Sequence, residues 1–127
     1  MLDEKTRRLA SGRNFAVLTT LMPDGTPQSH VMWVDHDDEH ILINTEVHRR
    51  KFKNLAEDPR ATVTIIDSKN GYSYVEIRGR VVDRIEGQEA RDHIDALSRR
   101  YFGKDYPNRV RSERVVLRIR PDREMVH

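Results

Sequence analysis

A chain of 127 residues is long enough for one real core, so a single domain spanning residues 1–127 is expected. Hydrophobic residues make up 36% and charged residues 35%, and the net charge of +2 falls well short of a dedicated DNA-binding domain. The absence of cysteine excludes disulfides and thiolate chemistry, and no apolar run approaches the roughly 20 residues of a membrane span.

The N-terminal Met1-Leu2-Asp3-Glu4 has no signal-peptide core, so a soluble cytoplasmic protein is the expectation. Residues 3–10 read as a short helix stopped by Ser11-Gly12. Residues 15–21 are a short apolar and β-branched run, Pro23-Asp24-Gly25 supplies turn chemistry, and residues 28–34 resume as a strand, which together make a hairpin. His36-Asp37-Asp38-Glu39 is the next turn and residues 40–45 form a third strand. A helix follows, with Phe52 and Leu55 three apart as its anchors on the sheet. It stops at Asp58-Pro59, because proline disfavours helix at the residue before it.

Residues 61–66 are a fourth strand and residues 67–71 a turn. Residues 72–85 are a long strand with Val75, Ile77, Gly79 and Val81 on one face, the glycine marking a bulge or a close backbone approach. Gly87 opens a helix in which Ala90, Ile94, Leu97 and Tyr101 recur at helical spacing, ended by Gly103 and Pro107. The closing strand, residues 114–120, turns Val115, Leu117 and Ile119 inward and Val116, Arg118 and Arg120 outward. Six strands, short turns and few helices describe a mainly β protein, a small antiparallel barrel. So polar a chain has a thin core, which favours further burial in an oligomer interface.

The most informative segment is residues 45–60. The first turns of its helix carry Arg49, Arg50, Lys51 and Lys53, with no acid after them until Glu57. A helix N-terminus already bears about half a positive charge, so each cation there costs a few tenths of a kcal/mol. A docked anion, such as a phosphate, removes that cost by meeting both the free amides and the side chains; a solvated basic face is the plainer alternative. The strand Gln28-Ser29-His30-Val31-Met32-Trp33 mixes hydrogen-bonding groups with the only Trp, and could line a pocket for a flat aromatic ligand or simply bury Val31 and Trp33. Tyr72 and Tyr74 offer a ring and a hydroxyl to a ligand or partner, or pack in the core or an interface.

Several chemistries have no support. There is no G-x-G-x-x-G, Walker loop or G-x-S-x-G. His36 and His40 match H-x-x-E-H, but at a strand–strand turn they would not share a helical face, so a solvated hairpin tip is favoured over zinc. His93 reads as a surface residue.

The order of Leu18-Thr19-Thr20-Leu21, Pro23-Asp24-Gly25, Thr26-Pro27-Gln28-Ser29-His30-Val31, Leu42-Ile43-Asn44-Thr45, the Arg49-x-Lys51-x-Lys53-Asn54-Leu55 helix, Asp58-Pro59-Arg60-Ala61 and Tyr74-Val75-Glu76-Ile77-Arg78-Gly79-Arg80-Val81 carries a family resemblance. It resembles the flavin/deazaflavin oxidoreductases of the pyridoxamine 5'-phosphate oxidase-like FMN-binding split-barrel superfamily, in their small deazaflavin-dependent reductase branch. The resemblance spans residues 9–120, and the basic helix with Asp58-Pro59-Arg60 is its most specific part.

That resemblance implies a homodimeric six-stranded split barrel with cofactor sites in grooves between protomers. It makes Arg49 and Lys51 the phosphate contacts, with Thr45 and Asn54 beside them and Arg50 and Lys53 assisting or reaching an acidic cofactor tail. It runs His30, Val31, Met32 and Trp33 beside the ring, and loosely adds Tyr72. The implied reaction is hydride transfer between the reduced deazaflavin coenzyme F420 and a small unsaturated acceptor. No residue matches a required acid or base, so protonation is left to water, His30 or Tyr72. The alternatives are an FMN-dependent oxidase or reductase, less readily a haem or other tetrapyrrole protein, and a module that binds cofactor or nucleic acid without turnover. A compact basic cluster with acids interspersed elsewhere disfavours nucleic acid.

Overall fold

The computed structural model describes residues 1–127, and its order of elements follows the sequence pattern closely. Helix α1 (Glu4–Ser11) begins where the Asp3 carboxylate accepts the Lys5 amide at 2.8 Å, with Glu4 in the first turn and Arg8 in the last, both complementary to the helix dipole. At its other end the Asn14 side-chain amide donates to the Leu9 carbonyl at 2.9 Å, joining the Gly12 amide that caps it.

Strands β1 (Ala16–Leu21) and β2 (Pro27–Met32) form the expected hairpin. Gly25 takes the left-handed conformation at φ 86° that its turn requires, and the Asp24 carboxylate accepts the Thr26 amide. A two-residue strand β3 (Asp35–His36) follows, then β4 (Ile41–Glu46), helix α2 (Arg50–Glu57), β5 (Arg60–Ile66), β6 (Tyr74–Ile85), helix α3 (Gly87–Phe102) and β7 (Arg114–Val126). All seven strands lie in one antiparallel sheet in the order β2-β1-β5-β6-β7-β4-β3.

The two edge strands, β2 and β3, are consecutive in the chain and separated only by Trp33 and Val34. A link that short spans on the order of 10 Å, so the sheet has to curl until its edges meet at that corner. The concave side then encloses one core, in which Leu18, Ile43, Val63, Ile77, Leu117 and Ile119 from five strands pack with Leu9 and Ala10 of α1. No helix is long and apolar enough to cross a membrane.

Three differences from the sequence reading have physical causes. Six strands become seven because Asp35 and His36, read as loop and turn, pair with Leu42 and Ile41 of β4 once the corner is made. β7 runs six residues past Arg120, because a register shift between Arg78 and Gly79 leaves Asp122 unpaired and lets the ladder resume beyond Pro121, which has no N–H to give it. Val116 is buried rather than outward-facing, since α3 lies over the convex side of β4 and β7 and packs Ala90 against Leu42 and Val116.

Among the glycines, Gly79 lies tightest against a neighbouring strand's backbone. A Cβ built there would sit 2.2 Å from the Arg120 carbonyl oxygen and 3.2 Å from the Ile119 side chain. Because backbone must move to admit even a methyl group, Gly79→Ala is expected to destabilise the fold by about 2–4 kcal/mol in urea unfolding. A loss below measurement error would place the bulge elsewhere.

Candidate functional site

A groove of about 340 Å³ opens beside the β2–β3 corner. One wall is apolar: Val31, Met32 and Trp33 lie along it, with Phe15 and Phe102 at its rim. Trp33 stacks on Tyr101 at 5.1 Å and 8° between planes, and meets Phe102 and Tyr106 edge-on. That packing holds a flat, half-buried indole against the groove. Val31 stays 68% exposed although it belongs to a strand.

The opposite wall is cationic. Asn44 and Thr45 of β4, Arg49 and Lys51 at the start of α2, and Arg114 at the start of β7 line it. Arg49 caps α2 with no side-chain hydrogen bond and the first turn holds no acid, so nothing in the helix itself offsets its positive end. Lys51 is only 5% exposed, yet it forms no ion pair or side-chain hydrogen bond. Burial first, then Arg49 and Arg114, press its ammonium down from an ordinary 10.5 to about 8.

The nearest carboxylate is already committed. Glu46 accepts the Arg111 and Ser112 amides at 2.6 and 2.8 Å through one oxygen and lies 3.7 Å from Arg114 through the other. Burial opposes its ionisation, but those two amides and Arg114 hold its pKa below the ordinary carboxylate value. Arg114 is itself nearly buried, 4.8 Å over the Tyr106 ring, and its Nε has no partner. Three cations thus converge with a single, occupied acid among them, which is an arrangement that an entering anion stabilises.

The residues expected at a ligand divide into four groups. Val31, Met32, Trp33, Thr45, Arg49 and Lys51 line one groove. His30 lies beside it: its Nε2 is buried without a partner, and burial, then Lys51 and Arg49, lower its pKa, leaving the ring neutral at pH 7. Asn54 is buried beneath α2, where its amide donates to Thr20 Oγ1 at 3.0 Å and Gln28 Oε1 at 3.4 Å, tying the helix to the β1–β2 hairpin.

The remainder point elsewhere. Arg50 and Lys53 are exposed outside the groove. Tyr72 is 93% exposed at the turn before β6, which begins two residues later than its aromatic start suggests, and it does not line this groove. Arg60 folds back onto Asp58 at 2.7 Å, so Asp58-Pro59-Arg60 closes its own turn. At the hairpin tip, His40 Nδ1 lies 3.0 Å from Asp37 and His36 Nε2 2.7 Å from Ser11 Oγ. His93 is not a free surface residue but bridges Asp35 and Asn44.

Arg114 and Asn44 are lining residues that the sequence pattern did not expose. Each looks like an ordinary strand residue until the register Asn44↔Val116 and Glu46↔Arg114 brings β7 beside the end of β4.

The chain matches the family model for pyridoxamine 5'-phosphate oxidase over residues 2–126. No curated protein matches it by sequence. Among solved structures it is similar to an F420 reductase, 30% identical over 98% of both chains with a TM-score of 0.84. It is also similar to General Stress Protein 26 of Bacillus anthracis, 22% identical over 97% of this chain and 91% of that one, TM-score 0.71. The haem storage protein of Vibrio cholerae is 14% identical over 98% and 94%, TM-score 0.70. At those identities the last two bear on fold alone.

The strained charge of Lys51 has a stability signature. Its folded pKa of about 8 lies below the ordinary 10.5, so between those values the unfolded chain holds a proton the folded chain has lost. Stability therefore rises with pH across that window. Lys51→Met is expected to stabilise the ligand-free protein at pH 7 by on the order of 1–3 kcal/mol and to flatten that rise. Urea unfolding from neutral to alkaline pH checks both; a destabilised variant would mean Lys51 has a partner in the fold.

Proposed function

We propose, for a chain that belongs to the pyridoxamine 5'-phosphate oxidase family, that the groove holds coenzyme F420 and that the protein is an F420-dependent oxidoreductase. The whole chain, residues 1–127, is assigned to one cofactor-binding domain. The observation that carries this reading is the buried Lys51 between Arg49 and Arg114, a triple cation facing an apolar wall that includes Trp33.

The residues present fit such a cofactor. A phosphate would supply the acceptors that Lys51, Arg49 and the unpartnered Arg114 Nε lack, while a flat ring suits the wall of Val31, Met32 and Trp33. Arg50 and Lys53, exposed on the same helix, are assigned to an acidic cofactor tail rather than to its phosphate. Asn54 is assigned a positioning role, since its amide is used to seat α2. Tyr72 is left out of the site.

When bound, the reduced deazaflavin supplies a hydride to an electron-poor acceptor, here a small unsaturated organic molecule. The protein's part is binding, orientation and exclusion of water. Lys51, Arg49 and Arg114 fix the anionic end, and the apolar wall dries the other. His30, kept neutral, can donate or accept a hydrogen bond without bringing charge to the ring. None of the lining residues is assigned as an acid or base, so geometry is the catalytic device.

Lys51 lies inside a groove, which suits a small anion entering it and not a nucleic-acid backbone tracking an open surface. The apolar rim of Phe15, Val31 and Phe102 is exposed on this chain, and we assign it to a homodimer contact that completes the groove. Sedimentation velocity is expected to give twice the 15.0 kDa chain mass; a monomer at micromolar concentration would refute the dimer.

Titration with purified F420 and with FMN, followed by cofactor fluorescence, tests the assignment. F420 is expected to bind and FMN to bind far more weakly; micromolar FMN affinity with none for F420 would overturn it. The reduced form should then be oxidised in the presence of at least one of a panel of quinones, enones and biliverdin-like acceptors. Binding without any oxidation would mark a cofactor carrier. Lys51→Glu is expected to weaken F420 binding by at least about 100-fold with the fold intact, because Arg49 and Arg114 favour an anion at that position.

A further inference from the structure

Arg114 enters the groove through a chain of hydrogen bonds whose polarity runs one way. Its Nη1 donates to Asn44 Oδ1 at 3.3 Å. The Asn44 amide nitrogen in turn donates to the Ala90 carbonyl at 2.9 Å and lies 3.0 Å from His93 Nδ1. The far side of that ring, Nε2, lies 2.9 Å from Asp35 Oδ2. Asp35 is also held by Arg100 at 2.7 Å, which donates as well to the Ala10 and Val34 carbonyls at 3.0 and 2.8 Å.

These partners leave only one tautomer consistent with the bonds. A backbone carbonyl only accepts, so Asn44 must present its NH2 to Ala90, and therefore to His93 Nδ1. His93 Nδ1 is thus the acceptor and its proton sits on Nε2, facing Asp35. Burial works against ionisation of Asp35, but the bonds from His93 and Arg100 hold its carboxyl at about 2, so it accepts only. Asn44 is consequently fixed with Oδ1 toward Arg114. Turned over, it would set an NH2 against a guanidinium.

We infer that Asp35, His93 and Asn44 form a positioning relay that orients the Arg114 guanidinium in the anion-binding groove. The inference rests on the reading of that groove as the cofactor site. His93 and Asp35 do not themselves line the groove; their hydrogen bonds reach it through Asn44 and Arg114. Arg114 is 92% buried at its side chain by the 8% exposure it retains, and its Nε is unpartnered. The orientation of the planar fork therefore decides which N–H groups face the groove.

A double-mutant cycle on the full chain tests this. F420 dissociation constants are measured for wild type, His93→Phe, His93→Gln, Arg114→Ala and the His93→Phe/Arg114→Ala pair. His93→Phe is expected to weaken binding about tenfold, and to add nothing once Arg114 is gone. His93→Gln can donate toward Asp35 and accept from Asn44, so it should restore the wild-type affinity that His93→Phe loses.

Additive losses in the pair, or wild-type affinity in His93→Phe beside a weakened Arg114→Ala, would overturn the relay. So would a long-range ¹⁵N spectrum of the ligand-free protein showing the proton of neutral His93 on Nδ1. If wild type binds no F420, the cofactor reading falls on its own, and the same cycle read with inorganic pyrophosphate decides the relay: coupling between His93 and Arg114 supports it, and independence refutes it.

Discussion

The constraint on which everything else depends is the passage of the chain from one edge of the sheet to the other across two residues. β2 and β3 stand at opposite ends of the strand order, and only Trp33 and Val34 join them. Had a long loop made that connection, the sheet could have stayed open and flat. Joined so tightly, it must curl, and the curl buries Val34 completely while leaving Trp33 at the corner. The groove is a direct product of that corner. Its apolar wall is the end of β2, and α3 seats Tyr101 and Phe102 against the same indole.

Electrostatics complete the site. A thin core ordinarily disfavours a buried ammonium, and here two guanidinium groups make the burial of Lys51 harder still. The fold accepts that penalty because α2 is held from outside the groove, by Leu55 and Phe52 packing on the core and by Asn54 bonding to the β1–β2 hairpin. Stability and the proposed anion affinity are thereby set against each other at one residue. Arg114 is differently placed: Glu46, held through one oxygen by the Arg111 and Ser112 amides, balances it at 3.7 Å through the other, while the Arg114 Nε keeps no partner.

Much of this was legible in sequence. Strict alternation placed Val75 and Ile77 inside, helical spacing placed Ala90, Ile94, Leu97 and Tyr101 on the buried face of α3, and a glycine in a strand foretold the close approach at Gly79. These signals are local, each spread over a few turns or pleats, so a single chain displays them. What stayed hidden was relational. Val116 looks outward by alternation and is buried only because a helix from elsewhere covers it. Tyr72 has the chemistry of a ligand contact, and its place at an exposed turn follows from where pairing with β5 begins. His93 has no local sign of its role, since Asp35 and Asn44 come to it from β3 and β4.

The sequence by itself determined the mainly β architecture, the basic helix start and the strand that walls the groove, because periodicity and charge order are written along the chain. Only the tertiary structure decided which of four neighbouring cations is buried, and that Arg114 joins them. Helix rotation and cross-strand register set those outcomes, and both depend on contacts between residues tens of positions apart. Lys51 and Lys53 are the same residue type two positions apart on one helix, a rotation of roughly 200°. One faces the groove without a partner and the other faces solvent.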